Sequence, residues 1–180
     1  AYENSSVLFV GTEAGLEKKI VPECGYDLQF IKVSQLKGSG FLQRLKTLFS
    51  LPISFLQAYK ILRREKPDFV FGIGGYASGP LTLLAKFIGI KTAVVEQNAI
   101  PGMTNRILGR FVDKVFVAFI KAEEYFSKEK VVLSGNPVRQ EFSQPIMKMR
   151  HEKFCLFVVG GSQGARSVNR AMCAALPLLE

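Results

Sequence analysis

Hydrophobic positions along the chain alternate between two rhythms. Short, almost wholly apolar runs end in glycine or polar residues. Between them lie longer stretches whose apolar residues recur every three or four positions. The first rhythm predicts strands and the second amphipathic helices. Strands are predicted at SVLFVG (6–11), DLQFIKV (27–33), DFVFGIGG (68–75), KTAVVEQN (91–98), KVFVAF (114–119), KVVLSGNPVR (130–139) and FCLFVVGG (154–161). Helices are predicted at 14–25, stopped near Pro22 and Gly25, and at 40–67, where Pro52 marks a kink or a junction between two helices. Further helices are predicted at 78–89, with Pro80 near the first turn and Gly89 at the end, at 103–113, and as a short helix or turn at 121–127. Residues 140–152 are polar, contain Pro145 and read as a linker.

Apolar strands separated by helices predict an α/β fold: a parallel sheet covered on both faces, spanning 1–139, with a second such unit beginning at 153–180. Ligands of such sheets sit beyond the carboxyl ends of the strands. Glycine and polar residues collect at that position four times, at 72–75, 96–98, 135–139 and 160–164.

Charge narrows the partners. With 24 Lys and Arg against 15 Asp and Glu, the net charge is +9, which favours an anionic partner: nucleotide, nucleic acid or acidic membrane. Seven basic residues and a single acid, Glu65, fall between Lys37 and Lys66, interleaved with apolar residues. An apolar face that includes Phe41, Leu48, Phe49 and Phe55, rimmed by basic residues such as Arg44 and Lys46, suits an anionic membrane surface. The same pattern also serves an ordinary helix packed on a sheet. Three cysteines without a CxxC argue against a disulfide framework or zinc site and fit a reducing compartment. No signal peptide and no apolar run of about 18 residues is expected. His151 is the only histidine, lies in the linker, and supports no catalytic triad or metal cluster.

The strand-end motifs carry candidate chemistry. In GIGGYASGP (72–80), Gly74 and Gly75 let a ligand approach the backbone, and the helix that follows offers N–H groups to an anion. It is neither a P-loop nor the usual dinucleotide fingerprint, and it also serves as a plain strand-to-helix turn. In VVEQNAIPGMTNR (94–106), Glu96, Gln97 and Asn98 arrive together at a strand end, where they can read sugar hydroxyls and amides; Asn98 or Thr104 can equally cap the next helix. Arg139 in SGNPVR (134–139) can pair with a phosphate. In GGSQGA (160–165), Gly161, Ser162, Gln163 and Gly164 can cradle a diphosphate.

GTEAGLEKKIVP, GIGGYASGP, EQNAIPGMTNR, GNPVR and VVGGSQGAR occur in an order and spacing that resemble the MurG family of bacterial peptidoglycan N-acetylglucosaminyltransferases, over essentially the whole chain. The resemblance implies a GT-B fold, with a Rossmann-like parallel sheet over 1–139 and the first strand and helix of a second Rossmann-like domain over 153–180. It implies inverting transfer of GlcNAc from UDP-GlcNAc to the 4-hydroxyl of MurNAc in lipid I, giving lipid II for cell-wall growth, shape and division. Partners would be UDP-GlcNAc, lipid I and the anionic cytoplasmic face of the bacterial plasma membrane, with no nucleic acid, no metal and no tightly bound cofactor. Asn98, Arg139 and Ser162 would belong to the donor side, Gly74, Gly75, Tyr76 and Ser78 to the acceptor side, and the 41–55 region to membrane docking. Glu96 is a candidate polar or catalytic contributor. The family's GGTGGH loop, with its proposed catalytic histidine, has no counterpart here, so the chain is expected to be a fragment, inactive by itself and poorly soluble. Another GT-B nucleotide-sugar transferase and a non-catalytic basic membrane-binding module stay open as alternatives.

Overall fold

The computed structural model describes residues 5–33, 41–143, 155–159 and 165–178; the side chains of 41–50, Tyr76, Glu141 and Ser143 are not among those described. The chain forms two compact units, Ala1–Pro137 and Val138–Glu180. In the first, β1 (Leu8–Gly11) and β2 (Asp27–Phe30) pair in parallel and are joined by α1 (Glu17–Glu23). Helix α2 (Phe41–Glu65) leads to β3 (Phe69–Gly72), α3 (Gly75–Phe87), β4 (Lys91–Glu96), α4 (Met103–Leu108), β5 (Lys114–Val117), a 3-10 turn (Ile120–Tyr125) and β6 (Val131–Leu133). The last four strands form a parallel sheet in the order β3-β4-β5-β6. In the second unit lie a 3-10 turn (Gln140–Ser143), α5 (Arg166–Ala175) and a closing 3-10 turn (Leu176–Leu178).

The apolar runs form strands because neighbours bury them. Thr92 to Glu96 are all buried along β4, the central strand with the longest such run. Val94, Val115 and Val117 pack with Leu108, Val112 and Ala122, while Val70 packs with Leu62 and Ala85. Each such Val or Leu contributes roughly 1.5–3 kcal/mol by leaving water. Gly72 is required by this packing: a Cβ there would sit 2.9 Å from Thr82 Oγ1 and 3.2 Å from Val94 Cγ1.

Several expectations need correction. Among the described residues, the parallel strands form a pair and a separate four-stranded sheet rather than one continuous sheet. Among the described residues, helices do not cover both faces of β3. The register puts Phe69, Phe71, Ala93, Val95, Phe116 and Val132 on one face, and Val70, Val94, Glu96, Val115 and Val117 on the other. Both core clusters lie on the second face, and Phe69 and Phe71 are about half exposed, at 50% and 49%. The cause is topological. Strands laid down in one direction by right-handed crossovers place their connecting helices on the same side. Phe71 offsets part of the exposure through ring contacts with Phe69 at 6.3 Å and Phe116 at 5.9 Å. Helix α2 continues through Pro52, so that position is not a junction between two helices, and α3 begins at Gly75, so Pro80 falls in its second turn. The strand expected at 154–161 is absent from 155–159, where Phe157 is 85% exposed. A strand needs a neighbour for its N–H and C=O groups, and the second unit has no other strand among the described residues.

Candidate functional site

The turn after β3 is shaped by two glycines. Gly74 and Gly75 have φ of +88° and +78°, a region that L side chains rarely adopt. The reversal starts α3 immediately, so Tyr76 and Ser78 lie in its first turn, and Ser78 Oγ donates to the Gly75 carbonyl at 3.1 Å. Gly75 has open space where a Cβ would stand, leaving room against the helix N-terminus, whose first N–H groups have no intrahelical acceptor.

The loop after β4 is organised around Glu96, which is 1% exposed. Its Oε1 accepts hydrogen bonds from the backbone N–H and Nδ2 of Asn98, each at 2.9 Å. Its Oε2 accepts from Asn105 Nδ2 at 2.9 Å and the Gly102 N–H at 3.1 Å. Asn105 Nδ2 also donates to the Val95 carbonyl at 2.9 Å. Burial of a carboxylate is tolerated only with such compensation. Glu96 is therefore enclosed at the end of β4, with both oxygens committed to its own loop and to the start of α4. Asn98, by contrast, is exposed. Asn105, buried in α4, was missed as a site residue. The only signal was an asparagine, a poor helix former, placed early in a helical run. Its amide also underlies the preceding turn, since a Cβ on Gly74 would lie 3.6 Å from Asn105 Nδ2.

Hydrogen bonds from side-chain amides to backbone carbonyls tie these loops to each other and to a third. Gln97 Nε2 donates to the Ile73 carbonyl at 3.2 Å, and Asn136 Nδ2 donates to the Gln97 carbonyl at 3.4 Å. The ends of β3, β4 and β6 thus meet on one edge, bringing GIGG, EQN and GNP together. Arg139 belongs to the second unit, exposed, with its guanidinium 5.1 Å from the Phe142 ring centre. Gly161, Ser162, Gln163, Gly164 and His151 lie outside the described residues, as do the side chains of Tyr76, Phe41, Arg44, Lys46, Leu48 and Phe49. Phe55 is half-buried, whereas Ile53 and Leu56 are exposed at 51% and 56%. With exposed Lys60 and Arg63 they follow helical spacing, so one stripe of α2 passes from apolar to basic. Among the described residues, no helix is long and apolar enough to cross a membrane, and no group of three His, Cys, Asp or Glu is placed to hold a metal.

Two other carboxylates have local duties. Glu17 accepts from the Thr12 N–H at 2.9 Å and Thr12 Oγ1 at 3.2 Å, closing the loop after β1; the backbone donor holds its carboxyl below the ordinary range. Asp113 accepts from Lys86 Nζ at 2.6 Å, the Thr92 N–H at 2.9 Å and Thr92 Oγ1 at 3.1 Å. The Lys86 hydrogen bond, with those from Thr92, holds its carboxyl at about 2.

Residues 2–117 match the model of the glycosyltransferase family 28 N-terminal domain. The chain is 49% identical over 180 residues to the UDP-N-acetylglucosamine--N-acetylmuramyl-(pentapeptide) pyrophosphoryl-undecaprenol N-acetylglucosamine transferase of Myxococcus xanthus, covering 99% of itself and 47% of that protein. It is 48% identical over 176 residues to the protein of the same name from Syntrophus aciditrophicus, covering 97% of itself and 49% of that relative. The chain thus spans about half the length of these curated relatives. The crystal structure of Acinetobacter baumannii MurG matches with a TM-score of 0.70 and 27% identity, over 97% of this chain and 47% of that one.

Proposed function

The chain belongs to glycosyltransferase family 28, and on that premise we propose that it serves the transfer of GlcNAc from UDP-GlcNAc to lipid I, giving lipid II. The observation that carries the reading is the edge where the ends of β3, β4 and β6 are hydrogen-bonded together, with Asn98 exposed after β4 and α3 starting directly after β3. The names of the relatives, which specify the same donor and acceptor, support it.

The chemistry asks two things of the protein. The bond from the anomeric carbon to UDP breaks as a bond to the acceptor 4-hydroxyl forms, so negative charge gathers on the departing diphosphate. Fixed N–H donors and a cationic side chain lower the barrier to that separation. Residues 160–164 and Arg139 are assigned to this donor side. Asn98 is assigned to the donor sugar. The second demand is a proton acceptor within hydrogen-bond reach of the attacking hydroxyl. Glu96 is too enclosed for that role. The α3 N-terminus, with Gly74, Gly75, Tyr76 and Ser78, is assigned to the acceptor's diphosphate, where free N–H groups and the helix dipole favour an anion.

The membrane side of the reading rests on α2. Ile53 and Leu56 are apolar and exposed, and Lys60 and Arg63 continue their stripe. This arrangement supports peripheral docking on the anionic cytoplasmic face of the bacterial plasma membrane, where a lipid-linked acceptor is presented. Phosphatidylglycerol vesicles should pellet the protein at low salt and release it as salt rises; absence of binding at low salt would remove this part of the reading.

The test of the reaction is to incubate the gene product carrying this sequence with labelled UDP-GlcNAc and lipid I. Formation of lipid II is expected, with unlabelled UDP-GlcNAc competing more effectively than other UDP-sugars. No transfer to lipid I, or preference for a different nucleotide sugar, would overturn the proposal.

A further inference from the structure

We propose that Glu96 is a positioning residue that holds the Asn98 amide with its carbonyl oxygen outward, so that Asn98 accepts a hydrogen bond from a hydroxyl or acetamido N–H of the bound sugar. The proposal rests on the sugar-transfer reading and specifies how that site discriminates.

The argument begins with donors and acceptors. An asparagine amide presents an acceptor on one side and two donors on the other, and rotation about its last bond exchanges them. At an exposed position both orientations are ordinarily available. Here Glu96 Oε1 receives the Asn98 backbone N–H and Nδ2 together, and a carboxylate oxygen receiving an amide requires its N–H face. Turning Asn98 over would set its carbonyl oxygen against the carboxylate oxygen of buried Glu96, replacing a hydrogen bond with a repulsive contact. Glu96 cannot swing away to relieve the contact. Its second oxygen is held by Asn105 Nδ2 and the Gly102 N–H, and Asn105 is itself anchored on the Val95 carbonyl. The chain of contacts therefore runs from the β4 backbone through Asn105 and Glu96 to Asn98, and fixes one orientation at its exposed end. Asn98 Oδ1 has no partner among the described residues.

A carbonyl oxygen repels phosphate, so the outward oxygen of Asn98 reads sugar donors rather than the diphosphate. It also discriminates sharply, because a site built to accept from an O–H or N–H loses its bond to any analogue lacking that group. Replacing Glu96 with Gln puts an N–H2 against one pair of donors. Buried Asn105 cannot turn over without giving up the Val95 carbonyl, whereas exposed Asn98 can, so the N–H2 faces Asn98, whose amide turns over and presents donors where an acceptor stood.

The experiment is calorimetric titration of the gene product with UDP-GlcNAc and, separately, with UDP. Asn98→Ala and Glu96→Gln are each expected to raise the Kd of UDP-GlcNAc about tenfold, the worth of one well-placed hydrogen bond, while leaving that of UDP within about twofold. The double variant should be no weaker than the weaker single one, since both remove one interaction. A purely structural role for Glu96 would weaken both ligands together and would overturn the proposal, as would an unchanged ratio of the two constants. Should Glu96→Gln fail to fold, wild type and Asn98→Ala suffice with deoxy and fluoro analogues of the sugar hydroxyls and an N-methylated acetamido analogue. Fluorine accepts but does not donate. At one position, removing the donor should weaken binding to wild type and leave Asn98→Ala indifferent, with fluoro no better than deoxy if that position is a hydroxyl. An analogue whose fluorine restores binding in an Asn98-dependent way, or no Asn98-dependent position, would overturn the proposal. Wild-type protein that binds no UDP-GlcNAc would overturn the sugar-transfer reading and this inference with it; wild-type binding with an unchanged ratio would overturn this inference alone.

Discussion

Strand β4 has a carboxylate cluster at each end. At its start, Asp113 gathers Lys86, the Thr92 N–H and the Thr92 hydroxyl, joining the last turn of α3 to two strands. At its finish, Glu96 gathers Asn98, Gly102 and Asn105. Both use an acid to satisfy backbone and side-chain donors, yet they differ in what they leave over. The Asp113 cluster turns its groups on one another at a partly exposed position and offers no side chain outward. The Glu96 cluster is buried and ends in an exposed asparagine. The same physical device acts as a clasp at one end of the strand and as a mount at the other. What separates them is whether the last residue of the network faces water.

Breaking the two clusters should separate stability from activity. The largest effect is expected from Glu96→Ala, which leaves the buried Asn105 amide and Gly102 N–H without their acceptor and should lower unfolding free energy by about 3 kcal/mol. Urea denaturation checks this; a loss under about 1 kcal/mol would mean water or a shifted loop replaces the carboxylate. Next, Asn98→Ala removes only the exposed end. Transfer should fall about tenfold, while stability falls much less than for Glu96→Ala because water can replace the amide at this exposed end; a loss of stability equal to that of Glu96→Ala would erase the distinction between mount and clasp.

The smallest effect belongs to Asp113→Asn. Its carboxyl is held at about 2 against an ordinary 3.8, so its contribution is present above the unfolded value and lost as pH falls through the folded one. Because the Lys86–Asp113 pair is partly exposed, solvent screening reduces that contribution to about 1 kcal/mol. Wild type should be more stable than Asp113→Asn near pH 6, and the difference should close toward pH 2. A gap that persists at pH 2 would show that the substitution acts through packing rather than charge.

Much of the first unit was legible because its strands are apolar runs between helical stretches, and burial rewards that pattern directly. KTAVVE became β4 nearly as expected. Glu96 was legible as a polar residue at a strand end, but its enclosure was not. Its acceptors are met by Gly102 and by Asn105 nine positions on, through a loop geometry that no periodicity displays. FCLFVVGG looked as good a strand as KTAVVE, yet 155–159 form none, since a strand depends on a neighbour as much as on its own composition. The exposed ring pair Phe69 and Phe71 makes the same point. Alternation tells which residues share a face, but the strand order decides which face the helices cover. Helix α2 runs through Pro52 because a proline costs one backbone bond, and 25 residues of helix carry enough other contacts to absorb it.

The most direct measurement is a titration of ¹⁵N-labelled gene product with UDP-GlcNAc, followed by amide chemical shifts. The account predicts changes at Asn98, Gly102 and the Gly74–Gly75 turn, with Thr92 and Asp113 at the opposite end of β4 unmoved. Changes confined to the Thr92–Asp113 end, or transfer activity with no change at Asn98, would contradict it.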